Sequence, residues 1–294
     1  MKQFDKKKIL NRMIYLILIL LIILSSAYIV KSFASKIEAT KEKDLLNSVT
    51  VDEVMGNEEE NISNSETNDQ NVGEKSKEDT NKEKTYKQET NQEKQQDSLK
   101  RVAQVKKLKE EYKNIIGWIE IKDTNISYPV VQGEDNEFYL THDYKGDKAE
   151  RGAIFLDSNY DWNISGNNFM VYGHYMLNNE MFTDLTKYVK EDFYKKHPTI
   201  RFTTGNEDAE YDIIAVFRSK VYNKSDKDVF KYYQFINSES EKEYNNFIKN
   251  IKEASLYEIE ETAKCGDQLI TLTTCSYHAE DGRFIVVGRK KDIS

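Results

Sequence analysis

The chain has 294 residues, and 43 Lys and Arg against 51 Asp and Glu give it a formal net charge of −8 at pH 7. Residues 51–100 carry about −7 and residues 101–294 about −6, which excludes a nucleic-acid-binding protein that works through a broad basic surface. Two cysteines exclude a disulfide framework and a zinc site built from cysteines. The chain is long enough for one good-sized core with attached segments.

The first attached segment is an apolar run, residues 13–30, which follows the basic segment 1–12. As a helix its 18 residues span roughly 27 Å, near the lower limit for crossing a bilayer. The basic residues predict that segment 1–12 stays in the cytoplasm and that the rest of the chain is extracellular. A cleaved signal peptide is the alternative, because residues 25–27 are small. We favour an uncleaved, single-pass signal anchor, because the apolar character resumes at residues 28–30.

A polar spacer, residues 31–97, comes next. From about residue 47 it consists of Glu, Asn, Lys, Gln, Ser and Thr with almost no large apolar side chains. Such a sequence cannot bury enough surface to offset its ordering entropy, so we predict a disordered tether that holds the following domain away from the membrane. An interaction tail is the alternative, but the segment contains no evident binding motif.

The folded part, residues 98–294, is predicted to begin with an amphipathic helix capped by Ser98. Apolar residues recur along it every three or four positions, at Leu99, Val102, Val105, Leu108 and Tyr112. A second helix is predicted over residues 238–253, with Ser238 and Glu241 as its capping box.

Short strands account for most of the remaining sequence. Eight runs fit strands, at residues 118–121, 126–131, 153–156, 169–172, 199–203, 211–217, 269–274 and 284–287. Many short strands with few helices predict a mainly β fold, a closed barrel or a sandwich of about 195 residues. The last strand is predicted to end near Arg289, so we expect no second domain beyond it.

Cys275 ends a β-branched run, residues 269–275, where a polar turn begins. A thiol at a strand end is held by the sheet yet open to solvent, which suits a nucleophile. The alternative is a small core residue, the commoner fate of a free cysteine. Ten residues of strand would place Cys265 roughly 30 Å away, whereas a disulfide needs Cα atoms within about 7 Å. We therefore predict that the two cysteines are not bonded and that Cys265 is a bystander in a loop.

His174 is the candidate partner for the thiol, because it ends another strand-like run and because Gly173 permits close backbone approach there. His278 lies three residues after Cys275, in a turn that leaves its orientation unspecified. Surface positions are predicted for the other two histidines, His142 and His197.

Arg283 begins the last predicted strand. Its guanidinium cannot deprotonate, so it would serve as a hydrogen-bond donor to an oxyanion or to substrate carbonyls. A charge at the edge of a strand is the alternative.

Six motifs follow one another along the folded part: IGWI (116–119), ISYPVVQG (126–133), DNEFYL (135–140), GAIFLD (152–157), YGH (172–174) and TLTTC (271–275), followed by Arg283. In this order they together resemble a class B sortase over residues 98–294. The resemblance implies an eight-stranded sortase barrel with an N-terminal helix and a helix before the cysteine strand. It also implies a membrane-anchored cysteine transpeptidase on the outer face of a Gram-positive-type cell.

The family reaction implies the partners. The enzyme would cleave a C-terminal sorting signal of LPxTG or NPxTx type after Thr, form a thioacyl-enzyme and transfer the surface protein to a peptidoglycan amine. No nucleic acid, metal or cofactor is expected.

The resemblance also implies roles for individual residues. Cys275 is the nucleophile, His174 the general acid/base and Arg283 the oxyanion donor, with Arg289 as the fallback for that role. Four further positions match residues that line the substrate site in the family: Asn136, Leu140, Tyr172 and Thr273. Ser276 receives no role. We hypothesise that only a minor fraction of the Cys275–His174 pair is thiolate with imidazolium.

Two other functions fit parts of the sequence. A papain-like cysteine protease is disfavoured because His precedes Cys here and no Asn or Asp stands out as a third member. A tethered, non-catalytic surface protein that binds sorting signals would keep its binding after Cys275→Ala. The specificity of the enzyme is expected to depend on the pocket around residues 220–260.

Overall fold

Two long helices precede a set of short strands in the computed structural model, which describes residues 2–49, 78–164, 168–275 and 279–292. Helix α1 covers Lys2–Ser48 and helix α2 covers Glu78–Glu111. The chain divides into two units, Met1–Leu45 and Leu46–Ser294.

The first unit is helical and contains the predicted anchor. Among the residues that the structure describes, the stretch Leu10–Glu42 is long and apolar enough to cross a membrane, by length and composition. Its large side chains are exposed, as for Leu20 at 56% and Ile22 at 63%. An apolar helix that leaves such side chains uncovered is stable where lipid surrounds it.

Helix α2 starts earlier than the sequence predicts. Ser98 lies inside it and does not cap it, and residues 31–48 and 78–97 are helical where the sequence predicts a disordered spacer. Glu, Lys and Gln each have a high intrinsic helix propensity, so a segment that is too polar to form a hydrophobic core can still be helical. Residues 50–77 of that spacer lie outside the described residues. Val105 and Leu108 are buried, as the periodicity predicts.

Eight strands form a closed barrel, which confirms the predicted fold. They are β1 Ile115–Glu120, β2 Ser127–Gln132, β3 Ile154–Leu156, β4 Asn168–Tyr172, β5 Thr199–Thr204, β6 Asp208–Lys220, β7 Leu269–Cys275 and β8 Gly282–Lys290. The order around the barrel is β1-β2-β3-β4-β7-β8-β6-β5, and β5 closes it against β1. Apolar residues fill it, with Ile119, Tyr128, Phe202, Val216 and Val286 all 1% exposed or less.

The pairing of β4, β7 and β8 brings three strand ends together. Strands β4 and β7 are parallel, with Tyr172 beside Thr273, so their carboxyl ends meet at one end of the barrel. Strand β8 runs antiparallel to β7, and its start places Arg283 opposite Cys275. Non-adjacent parts of the sequence therefore meet at this end.

Two α-helices interrupt the strands in the described part of the chain: α3 Glu191–Lys196 and α4 Glu241–Ala254. Helix α4 buries Tyr244, Phe247, Ile248 and Ile251, as predicted. Its N-cap is Ser240, whose hydroxyl accepts a hydrogen bond from the Glu243 amide at 3.2 Å, so the predicted capping box at Ser238 is two residues too early. Both serines precede a glutamate by three residues, and periodicity alone does not separate the two registers.

Candidate active site

Cys275 ends strand β7 as the first partly exposed residue of an otherwise buried strand. The strand is flanked by β4 and β8 and covered on both faces, which holds the cysteine backbone in place. Cys265 is exposed, and both cysteines are free, which confirms that they form no disulfide.

His174 reaches the thiol because Gly173 lets the chain after β4 approach the barrel closely. The Gly173 amide donates to the Thr273 carbonyl at 3.1 Å, which extends the β4–β7 pairing by one residue. A Cβ atom at this position would lie 2.4 Å from Ile154 Cδ1 and 2.7 Å from the Phe182 ring, so no larger residue fits. The imidazole of His174 then shares a hydrogen bond with the Cys275 side chain.

The carbonyl of Leu140 fixes the tautomer of His174. It lies 2.8 Å from Nε2 of the imidazole. A carbonyl oxygen can only accept, so Nε2 carries the proton in this contact. Nδ1 is then the ring nitrogen that remains to exchange a proton with Cys275.

Each member of the Cys275–His174 pair changes the pKa of the other. The hydrogen bond from His174, helped by the charge of Arg283, lowers the pKa of the Cys275 thiol, and burial opposes this. The hydrogen bond with Cys275 raises the pKa of His174, the Leu140 carbonyl adds to the rise, and burial opposes it. Both directions favour the thiolate–imidazolium pair, in a coupled titration.

Arg283 faces the same thiol from strand β8. Its guanidinium donates to the carbonyls of Asp281 at 3.1 Å and Gly282 at 3.0 Å, which holds the side chain on its own turn. Arg289 lies beside Leu269, at the opposite end of the β7–β8 pair. Six strand residues, about 20 Å, separate the two arginines, so the fallback Arg289 is excluded from this site.

A cavity of about 270 Å³ opens above the three residues. All seven residues that the sequence analysis selects line it: Asn136, Leu140, Tyr172, His174, Thr273, Cys275 and Arg283. It is also lined by Phe155, Gly173, Val221, Tyr232, Tyr233 and Thr274. Val221, Tyr232 and Tyr233 belong to the segment 220–260 in which the sequence places specificity, although the sequence does not single them out.

Tyr232 is the clearest cavity residue that sequence reasoning missed. Its hydroxyl lies 2.8 Å from Thr273 Oγ1 in a buried contact. Burial is the main reason that its pKa rises to about 12, so it remains a neutral phenol. Tyrosines are frequent in this chain, and only the long-range contact with β7 distinguishes this one.

Two further histidines, His142 and His197, do not line the cavity. His142 stacks on the Phe138 ring, with centroids 4.0 Å apart, and Nδ1 of His197 contacts the Lys122 carbonyl at 2.9 Å. Both are half-buried at the surface. His278 and Ser276 lie outside the described residues. Within the described part of the chain no group of three or more His, Cys, Asp or Glu could hold a metal ion.

Comparisons with known proteins agree with this geometry. The model of the sortase domain family matches residues 119–291. Sortase B of Listeria monocytogenes is 33% identical over 181 residues, covering 60% of this chain and 70% of the relative. Sortase B of Staphylococcus aureus is 31% identical over 188 residues, covering 63% and 74%.

A solved structure extends the likeness to three dimensions. The Staphylococcus aureus sortase B–substrate complex aligns with a TM-score of 0.58 at 28% identity, over 65% of this chain and 86% of that one. A sortase barrel is incompatible with the papain-like alternative, whose fold is unrelated. The chain belongs to the sortase family, with class B sortases among its relatives, and it is a cysteine transpeptidase.

Proposed function

We propose that this enzyme cleaves a C-terminal sorting signal after Thr and transfers the resulting surface protein to a peptidoglycan amine. The observation that carries the proposal is the convergence of Cys275, His174 and Arg283 on one cavity at the end of β4, β7 and β8. A nucleophile, a proton carrier and a cationic donor around one space are what acyl transfer requires.

The first half of the reaction forms the thioacyl-enzyme. Sγ of Cys275, as thiolate, attacks the Thr carbonyl carbon while Arg283 donates hydrogen bonds to the developing oxyanion. The C–N bond to the following residue breaks, and the His174 imidazolium gives its proton to the leaving amine. The C-terminal peptide departs, and the thioester remains on Cys275.

The second half transfers the acyl group. The acceptor amine attacks the thioester carbon, and His174, now neutral, takes a proton from the attacking nitrogen. The C–S bond breaks, Cys275 leaves as thiolate, and an amide joins the surface protein to the amine. The starting ion pair is restored, so the cycle needs no cofactor.

The cavity suits an extended peptide of LPxTG or NPxTx type. Leu140, Val221 and Tyr233 offer apolar and aromatic surface, while Asn136 and Thr273 supply polar groups. One solved relative is a sortase B–substrate complex, which supports the binding of a substrate by the same fold.

Helix α1 supports a membrane anchor. We propose that residues 13–30 cross the bilayer once, with segment 1–12 in the cytoplasm and the catalytic domain outside, because the basic residues lie on the N-terminal side. Residues 31–97 then separate the barrel from the membrane.

The test is intact-mass spectrometry of the full chain in detergent, incubated with LPxTG- and NPxTx-type peptides. We expect a mass increase equal to the acyl fragment, its removal by an added amine, and no adduct with Cys275→Ala. Peptide cleavage by the Cys275→Ala variant, or peptide binding with no adduct on any variant, would contradict the proposal. The second result would indicate the non-catalytic binding protein.

A further inference from the structure

A buried carboxylate lies directly behind the wall of the cavity. Asp157 follows strand β3, is 2% exposed, and its amide donates to the Met170 carbonyl at 2.8 Å. It does not line the cavity, so it cannot touch a peptide there.

Among the described residues, neutral donors supply all the hydrogen bonds to this carboxylate. Oδ2 accepts from the Tyr172 hydroxyl at 2.8 Å and from Nδ2 of Asn136 at 2.9 Å. Oδ1 accepts from the amide and the Nδ2 of Asn159, at 2.9 and 3.0 Å. Among the described residues no cation forms an ion pair with Asp157. Burying a charge without a counter-ion is costly, so these bonds must hold their donors firmly.

The carboxylate determines which end of the Asn136 amide faces the cavity. Because the carboxylate only accepts, the group beside it must be the amide nitrogen. Oδ1 of Asn136 accepts from the Ser158 amide at 2.8 Å, which fixes the other end. One N–H of Nδ2 is used by Asp157, and the second remains for a hydrogen-bond acceptor in the cavity.

Tyr172 is fixed in the same way. Burial, and then the neighbouring charge of Asp157, raise the pKa of its phenol, so the hydroxyl stays protonated and its proton is committed to the carboxylate. Its ring packs 5.2 Å from the Phe155 ring, between centroids, and forms part of the cavity wall.

We propose that Asp157 is a positioning residue for the peptide substrate, which orients Asn136 to donate to a peptide carbonyl and holds the Tyr172 wall in place. This inference rests on the proposed function and adds a requirement to it: the ligand presents a carbonyl acceptor at Asn136. Asp157 acts through these two side chains and does not take part in the chemistry at Cys275.

The test compares Asp157→Asn with the unaltered full chain in detergent, using the peptide that forms the acyl-enzyme. An amide cannot accept from all three side-chain donors, so Asn136 loses its fixed orientation. We expect the KM for the peptide to rise about tenfold with a smaller change in kcat. The rate of Cys275 alkylation by iodoacetamide, which needs no peptide, stays within twofold.

Asp161→Asn is the matched control. Oδ1 of Asp161 accepts from the amide and the Nδ2 of Asn163, at 2.8 and 2.9 Å, in the same kind of turn four residues later, with no hydrogen bond to Asn136 or Tyr172. The KM of Asp161→Asn for the peptide is expected to match that of the unaltered chain. An equal rise in both variants would overturn the inference.

An exchange variant separates positioning from simple stability. The double variant Asp157→Asn/Asn136→Asp restores a donor–acceptor pair between the two positions, but it presents an acceptor to the cavity. We expect its thermal midpoint to recover while KM stays high. Recovery of KM in the double variant, or an unchanged KM in Asp157→Asn, would overturn this inference and leave the proposed function standing. An unaltered chain that forms no acyl-enzyme would overturn the proposed function and this inference with it.

Discussion

At the residue scale, the reactivity of Cys275 depends on hydrogen bonds that its neighbours supply. Leu140 holds the tautomer of His174 through a carbonyl, and His174 in turn shares a hydrogen bond with the thiol. Arg283 adds positive charge near the sulfur but also opposes the protonation of His174. The same arginine therefore favours the thiolate and disfavours the imidazolium, although the net shifts, a lowered pKa of Cys275 and a raised pKa of His174, both favour the ion pair. The hypothesis that the ion pair is a minor species stays a prediction.

Replacing His174 should make the thiol a weaker acid. Its hydrogen bond is the largest cause that lowers the pKa of Cys275, so His174→Ala should raise that pKa and move the midpoint of iodoacetamide alkylation to higher pH. The thiolate fraction at pH 7, and with it the alkylation rate, should fall. His142→Ala is the control, because its ring stacks on Phe138 away from the cavity.

The unaltered chain gives a second result in the same experiment. If the thiolate is the minor form, its alkylation midpoint lies above pH 7 although it is below that of a free cysteine. A midpoint well below neutrality would contradict the minor-fraction hypothesis. A midpoint that does not move in His174→Ala would contradict the role of the hydrogen bond.

At the scale of elements, strand periodicity and turn residues were enough to predict the strands, whereas the choice of a closed barrel over a sandwich depended on the resemblance to class B sortases. All eight strands occur where apolar alternation predicts them, with ends that differ by a few residues. The start of helix α2 was not predictable by the same means, because its polar part has no buried face to produce a pattern. The predicted N-caps Ser98 and Ser238 were both wrong, because a serine often precedes a helix-forming stretch without capping the helix.

The site was predictable only in part, for a related reason. Cys275, His174 and Arg283 each stand at a strand end, which the sequence indicates, and the resemblance assigns their roles. Asp157 belongs to a quoted motif, yet its importance depends on contacts with Tyr172 and Asn136 across the fold. Periodicity predicts which residues of one strand are buried, but it does not predict which buried side chains contact each other in the fold.

The turn that carries Leu140 should be sensitive to Gly152. This glycine has φ +60°, and a Cβ atom there would lie 2.4 Å from the Tyr139 carbonyl and 2.9 Å from the Leu140 carbonyl. Gly152→Ala should therefore push the Leu140 carbonyl away from His174. We expect kcat/KM for the peptide to fall at least tenfold.

Gly146→Ala is the matched control for this change. Gly146 has φ +88° but no atom within 4 Å of the added Cβ, so it shares the backbone strain of about 1–2 kcal/mol without the clash. Its kcat/KM should stay within twofold of the unaltered chain. If kcat/KM fell by similar factors in both variants, backbone strain and not the displaced Leu140 carbonyl would be the cause.

At the scale of the whole molecule, we predict that the catalytic unit depends on helix α2 but not on the proposed membrane segment. Helix α2 contacts β1, β5 and β6, and it buries Val105 and Leu108. Arg101 also pairs with Glu120 of β1 at 2.6 Å. The last part of α2 thus belongs to the barrel core, while the large apolar side chains of α1 from Leu10 to Val30 are exposed.

Truncation at two positions should separate these contributions. A chain that starts at residue 98 keeps Val105, Leu108 and the Arg101–Glu120 pair. It loses the exposed ion pair between Asp97 and Arg201, which is worth about 0–1 kcal/mol, and the buried side chain of Leu46, whose burial contributes about 1.5–3 kcal/mol. We expect its thermal midpoint to fall by a few degrees and its kcat/KM for the peptide in detergent-free buffer to equal that of the full chain.

A chain that starts at residue 112 loses both buried side chains. Full burial of a Val or Leu side chain contributes about 1.5–3 kcal/mol, so the loss is roughly 3–6 kcal/mol against a typical domain stability of about 5–15 kcal/mol. The shorter chain should melt many degrees lower or fail to fold, as circular dichroism and calorimetry would detect. Equal midpoints for the two truncations would show that α2 is dispensable. A lower kcat/KM for the chain starting at residue 98 would instead show that the preceding residues assist catalysis.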